Sequence, residues 1–176
     1  MIDGIDRLNR KMTRLINTVG TENTERAVSN AVKIVQAEAK LLCPVSSGGL
    51  KDGIKTSRET VDDKVIGTCY VDTKHATFVE FGTGPKGQEN HTGISPLVNP
   101  AYSQLPWWIH ESQVDKEEAE KYHWFYIDTK DGRFYQCFGQ AAQPFMYPAL
   151  KNNEDRVTRN IGNYVRRKVK EAVKGD

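Results

Sequence analysis

The chain is poor in the residues from which enzymes and metal centres are built. Its 176 residues include three cysteines, Cys43, Cys69 and Cys137, an odd number at wide spacing. That excludes reading a disulfide framework or a CxxC metal knuckle, and it fits a reduced cytosolic origin. The four histidines, His75, His91, His110 and His123, stand in unrelated settings, none in a GxSxG or HExxH arrangement. A hydrolase needs a nucleophile, a base and an orienting group within reach of one another, and no such set is legible, so no enzyme is expected. No apolar run approaches the ~20 residues of a membrane helix. The opening Met1-Ile2-Asp3-Gly4-Ile5-Asp6-Arg7 lacks the basic-then-apolar layout of a signal peptide, so a cytoplasmic product without a membrane partner is expected. The net charge of +2 is too small to imply nucleic-acid binding by itself.

What is present is ordinary globular material. A hydrophobic fraction of 38% and a charged fraction of 27% argue against disorder, and the length fits one domain, 1–176, with a real core. Ile2, Ile5, Leu8, Met12, Leu15, Ile16 and Val19 recur at helical spacing, and Gly20 ends that helix. Thr21 or Asn23 can cap a second helix with the stripe Val28, Ala31, Val32, Val35, Ala39 and Leu42, stopped at Pro44. The two stripes read as core packing; the alternative for the first is docking on a neighbouring subunit. Ser46-Ser47-Gly48-Gly49 reads as a turn, and two strands, 53–57 and 65–71, are separated by a bend at Asp62-Asp63. Residues 76–81 fit either a strand or a short helix. From 88 to 122 three prolines, Trp107-Trp108 and a charged run break the pattern, which reads as an inserted excursion ordered against a partner. Residues 123–128 and 133–138 flank Lys130-Asp131-Gly132 and predict a hairpin. Pro148 then opens a long terminal helix, 147–174, in which Gly162 marks a weak point or a close contact. The fold class predicted is α+β: N-terminal helices (1–43), an antiparallel β-meander with a hairpin, and a long C-terminal helix.

Gly82-Thr83-Gly84-Pro85-Lys86-Gly87 matches GxGxxG, but the prolines around it leave no helix expected to present its amides to a phosphate, so no cofactor is assigned. Cys69, His75 and Cys137 would form a metal site only if three strands converged. Glu80, between Val79 and Phe81, is either an acid with a raised pKa or a hydrogen-bonded structural group, and the second reading is preferred. Trp107 and Trp108 read as core filling or as anchors for a protein partner. From Lys151 to Asp176, eight Lys or Arg stand against four acids, so the terminal helix is either a solvated basic face or a weak contact for DNA.

Three segments in order carry a resemblance. They are Pro44-Val45-Ser46-Ser47-Gly48-Gly49-Leu50-Lys51, Phe78-Val79-Glu80-Phe81-Gly82-Thr83, and Pro144-Phe145-Met146-Tyr147-Pro148-Ala149-Leu150. Together with the helices around them, they resemble the tail-completion or head-tail joining family of tailed bacteriophages, whose prototype is gene product ten of a lambdoid phage. His75 and Gln143 depart from that pattern, where a tyrosine and a basic residue are often found. The resemblance implies a structural neck protein of the virion, assembled in the bacterial host cytoplasm as a closed, sixfold ring of copies of itself. It further implies tail tube or tail terminator proteins on one side of the ring and head-closure or connector proteins on the other, with a tail terminator or head-closure ring as the alternative role. The interface candidates are Pro44, Gly48, Leu50, Glu80, Phe81, Gly82, Thr83, Trp107, Trp108, Pro144, Phe145 and Pro148.

Overall fold

The computed structural model describes residues 3–44, 48–62, 64–89 and 92–174. Its fold is α+β, with long helices at both ends and small antiparallel sheets between them. The residues group into two units, Met1–Thr73 with Pro148–Asp176, and Lys74–Tyr147.

In the first unit, α1 (Asp3–Val19) and α2 (Thr21–Leu42) meet at Gly20. The expected side-chain cap of α2 is absent: Gly20 takes the N-cap position. Asn23 instead turns its amide to the carbonyl of Thr18 at 2.9 Å, and the Thr24 hydroxyl donates to the carbonyl of Val19. These side chains therefore satisfy the orphan carbonyls at the end of α1 rather than the orphan amides of α2. Pro44 stops α2 as expected, leaving Cys43 extended at ψ 125°.

The fully buried row of α2 is Ala27, Ala31, Val35, Ala39 and Cys43, one residue every fourth position. Small side chains along this ridge let neighbouring elements approach closely. Those neighbours are α8 (Glu154–Lys174) and the hairpin of β1 (Ile54–Val61) and β2 (Lys64–Val71). Val28 and Val32, predicted in the core, press on the hairpin at Gly67, where an added Cβ would lie 2.3 Å from a Val32 methyl. Leu42 is exposed, because the core row has turned away from it by the end of the helix. The hairpin pairs antiparallel from Ile54↔Val71 to Val61↔Lys64, so β1 is longer than the 53–57 read from sequence. Arg58 and Thr60 tie it to Glu25 and Ser29 of α2.

The second unit holds α4 (Ala76–Phe81), α5 (Gly84–Glu89) and a three-stranded sheet in the order β3-β5-β4. Its strands are β3 (Trp107–His110), β4 (Tyr126–Thr129) and β5 (Gly132–Cys137), with α6 (Lys116–Lys121) between β3 and β4. The ambiguous segment 76–81 is thus a helix. The predicted hairpin is present, with Thr129 opposite Gly132. The excursion from 88 to 122 contributes β3, an edge strand that pairs with β5 from Trp107↔Cys137 to His110↔Phe134.

One expectation is corrected at the C-terminus. The predicted helix 147–174 is divided into α7 (Met146–Lys151) and α8, with a turn at Asn152-Asn153. The buried Asn153 amide donates to the carbonyl of Ala149 at 2.9 Å, and its backbone N–H bonds Leu150 in a tight three-residue turn. An asparagine that recruits the preceding carbonyls while Glu154 and Asp155 favour a new N-terminus ends one helix and starts the next.

Candidate functional site

Glu80 is the centre of the most constrained part of the second unit. It is buried at the end of α4, and its carboxylate accepts three backbone N–H groups. Phe145 and Met146 donate to Oε2 at 2.7 and 2.9 Å, and Tyr147 donates to Oε1 at 3.0 Å. Those are the orphan amides at the start of α7, so a glutamate 65 residues upstream does the work of an N-cap. Pro148, inside that first turn, has no N–H to satisfy. Phe145 is fully buried. Both carboxylate oxygens serve this scaffold, which makes Glu80 the hydrogen-bonded structural group and not an acid facing a substrate.

The residues after Glu80 form a corner around it. Gly82 adopts φ 77°, and an added Cβ there would lie 2.7 Å from the Ala142 nitrogen. Thr83 and Gln140 exchange backbone hydrogen bonds at 2.9 and 3.2 Å. Gly139 passes so close that a Cβ would sit 1.9 Å from the Thr83 carbonyl oxygen. The Tyr102 hydroxyl donates to the Phe81 carbonyl, and burial pushes its pKa up. Gln143 contributes its backbone N–H to the Val79 carbonyl at 2.8 Å, so this contact does not need the basic side chain often found at that position. The second and third sequence segments are thereby joined through Glu80.

The first segment belongs to the other unit. There Gly48, at φ 83°, is the N-cap of the short α3 (Gly49–Asp52) and Leu50 is buried; Val45, Ser46 and Ser47 lie outside the described residues.

The GxGxxG segment corrects another expectation, because a short helix, α5, begins within it at Gly84. Its amides are nonetheless committed: Lys86 N–H goes to Phe138 and Gly87 N–H to Thr83. The Trp107 ring fills the space above Gly84, where a Cβ would meet it at 2.7 Å. Among the described residues, no group of three or more His, Cys, Asp or Glu is placed to hold a metal ion. No helix among them is long and apolar enough to cross a membrane.

Strand alternation separates the two neighbouring tryptophans. Trp107, Ile109, Tyr126, Arg133 and Tyr135 share one face of the sheet. At its centre Tyr135 is 2% exposed, with Trp124 and Tyr126 edge-on to its ring and Arg133 stacked 3.8 Å from the Tyr126 ring centre, while Trp107 and Tyr126 keep 37% and 45% of their surface exposed. Arg133 is also paired with Asp128, which raises its already high pKa. The opposite face carries Trp108, Phe134, Gln136 and Ile127, with Phe125 beside Trp108 at 6.0 Å between ring centres. Trp108, Phe125 and Ile127 are 41–62% exposed there. His110 braces the rim of this face. Its Nδ1 accepts from the Ser112 amide, so Nε2 carries the proton donated to the Asp131 carbonyl at 3.0 Å. Glu111 receives hydrogen bonds from Lys116 and from the Arg133 amide, which hold its carboxyl below the ordinary range.

The arrangement thus consists of a rigid corner that uses its polar groups internally and an aromatic sheet face left open. Residues 6–82, under half of the chain, match the family model described as "Bacteriophage HK97-gp10, putative tail-component". Over that segment the chain is similar to the HK97-gp10-like family. The match includes the first sequence segment and the second up to Gly82, so Thr83, the third segment and the aromatic sheet lie beyond it. No curated protein and no solved structure matches the chain. Glu80, Trp107 and Trp108 are among the interface candidates read from the sequence. Phe125, Ile127 and Phe134 are not among those candidates, although the alternation around the recognised hairpin places them on the same face as Trp108.

Proposed function

We propose that this protein is a structural, non-enzymatic subunit of the phage or prophage neck, which completes the upper end of the tail and joins it to the head. In this reading it forms a closed ring of six copies, with tail tube or terminator proteins on one side and head-closure or connector proteins on the other. The observation that carries the proposal is the family match over residues 6–82. The geometry supports it, because Glu80 and the glycine corner spend their hydrogen bonds on the scaffold while Trp108 and its neighbours remain available as aromatic anchors.

The test is electron microscopy of a lysate from the parent phage with this gene deleted, complemented by wild type or by Trp108→Ala. Filled heads apart from tails of normal length support completion, and overlong tails move the role to a terminator ring. Intact particles refute a neck function. Complementation by wild type but not by Trp108→Ala assigns the open sheet face to assembly.

A DNA contact in the ring lumen has one observation in its favour. α1 packs on α8, and together they carry +6 of formal charge against +2 for the whole chain. Duplex affinity of the isolated protein that falls steeply with salt supports that contact, and salt-independent or absent binding removes it.

A further inference from the structure

The apolar stripe of α1 is not in the core. Ile5, Leu8, Met12, Ile16 and Val19 are 48–68% exposed, whereas Lys11, Leu15 and Thr18 are half-buried and mark the side turned toward the rest of the unit. At about 100° per residue the stripe lies roughly a quarter turn around the helix from that side. A helix already ordered by packing on α8 therefore presents a continuous row of five large apolar side chains.

Two features say what covers it. The spacing of the row is 3, 4, 4, 3, symmetric about Met12. In an antiparallel pair of identical helices with Met12 on the two-fold axis, Ile5 faces Val19, Leu8 faces Ile16, and Met12 faces its copy. A two-fold contact requires a patch that complements itself in this way. The second feature is charge. Arg7, Arg10 and Arg14 lie roughly 140–160° around the helix from the stripe, so the pair brings no arginines together at the seam. The nearest flanking residues are Asn9 and Leu15, which are uncharged. An anionic membrane is a poorer occupant, because α1 contains no Trp, Tyr or Phe to anchor at an interface.

We propose that α1 docks on α1 of a second copy of this chain as an antiparallel, isologous pair centred on Met12, a contact separate from any ring interface. One five-residue seam buries less than the ~1,200 Å² of a standard stable complex, so the pair dissociates at roughly micromolar concentration.

Sedimentation velocity of the full chain from about 1 to about 100 μM tests this, the expectation being a concentration-dependent dimer weakened at least ~tenfold by Met12→Lys. Met12 is exposed, so that variant keeps its fold, checked by an unchanged circular dichroism spectrum. Geometry is read by oxidative cross-linking above the background of the three native cysteines. Met12→Cys cross-links to its copy, and the double variant Ile5→Cys/Val19→Cys also cross-links. Ile5→Cys alone does not, because about 21 Å of helix separates it from its copy. A monomer throughout the range, a dimer indifferent to Met12→Lys, or self-cross-linking of Ile5→Cys overturns the proposal. Binding to phosphatidylglycerol vesicles that Met12→Lys abolishes, with the protein monomeric in solution, overturns it in favour of a lipid surface. None of these readouts depends on particle assembly, so the proposal can fail while the neck reading stands, and the reverse.

Discussion

Replacing Glu80 tests whether the corner is held as described. Glu80→Ala removes both acceptor oxygens and orphans three N–H groups. That of Phe145 is buried, while those of Met146 and Tyr147 are partly buried and regain some hydration. A hydrogen bond to a charged group contributes about 1.5–3 kcal/mol when buried, and an unsatisfied buried donor costs about 1–3 kcal/mol. Counting the buried donor in full and discounting the other two gives a loss of about 3–5 kcal/mol, a large share of the ~5–15 kcal/mol that stabilises a typical protein. Glu80→Gln is milder. Its carbonyl oxygen replaces Oε2 and keeps Phe145 and Met146, while its amide faces the Tyr147 N–H, for an expected loss of about 1–2 kcal/mol.

The assay follows from the sequence, since Trp107, Trp108 and Trp124 all lie within residues 74–147. Tryptophan fluorescence during urea unfolding therefore reports on the unit that contains Glu80. The expected order of midpoints is wild type, then Glu80→Gln, then Glu80→Ala. A Glu80→Ala midpoint within about 0.5 kcal/mol of wild type would refute the capping argument, since changes of that size are typical of surface positions without a structural role.

Gly139→Ala places a methyl 1.9 Å from the Thr83 carbonyl oxygen at φ 80°, and the same fluorescence assay should show a loss of at least about 3 kcal/mol. Gly162→Ala goes the other way: its Cβ meets nothing within 4 Å in α8, so a gain of about 0.5–1 kcal/mol is expected, read as a higher melting temperature by far-UV circular dichroism. The Lys116 and Arg133 hydrogen bonds depress the Glu111 carboxyl. An NMR titration should place its midpoint below the ~4.3 of a free glutamate, and Lys116→Ala should raise it. Because the folded pKa is the lower one, any contribution of this carboxylate to stability is present above the unfolded value and lost as pH falls through the folded one. Burial raises the Cys43 and Cys69 thiols, so at neutral pH both should react with a disulfide reagent more slowly than a free cysteine, and faster after urea unfolding.

The parts of the fold legible in the sequence are those where a local signal coincides with tertiary packing. Lys130-Asp131-Gly132 predicts a turn because Gly132 can adopt φ 120°, and the fold needs glycine there for a second reason: a Cβ would lie 2.6 Å from His110 Nε2. The division of α7 from α8 escaped notice because Leu150, Val157 and Ile161 continue a helical stripe across it. Asn153-Glu154-Asp155 was nonetheless a readable start signal. Glu80 shows what composition cannot reveal. Its partners are backbone amides of residues 145–147, which carry no side-chain signature, so sequence could favour a structural role without naming what it caps.

The α1 stripe shows the opposite relation, in which a strong local signal is easily read as core. Helical periodicity reports that one side of a helix avoids water, not what covers that side. In α2 the row that becomes buried is small, Ala27, Ala31, Val35, Ala39 and Cys43, because close neighbours leave no room for larger groups. In α1 the row is built from isoleucine, leucine, methionine and valine, and it remains open. Large apolar side chains projecting from an already ordered helix suit a second surface meeting them from outside. The same holds for Trp108 and Phe125 on the sheet, whereas Trp107, one residue away and 37% exposed, lies on the other face with part of its ring over Gly84. Chemistry alone does not separate anchor from core filling at these positions; strand parity and helix azimuth do.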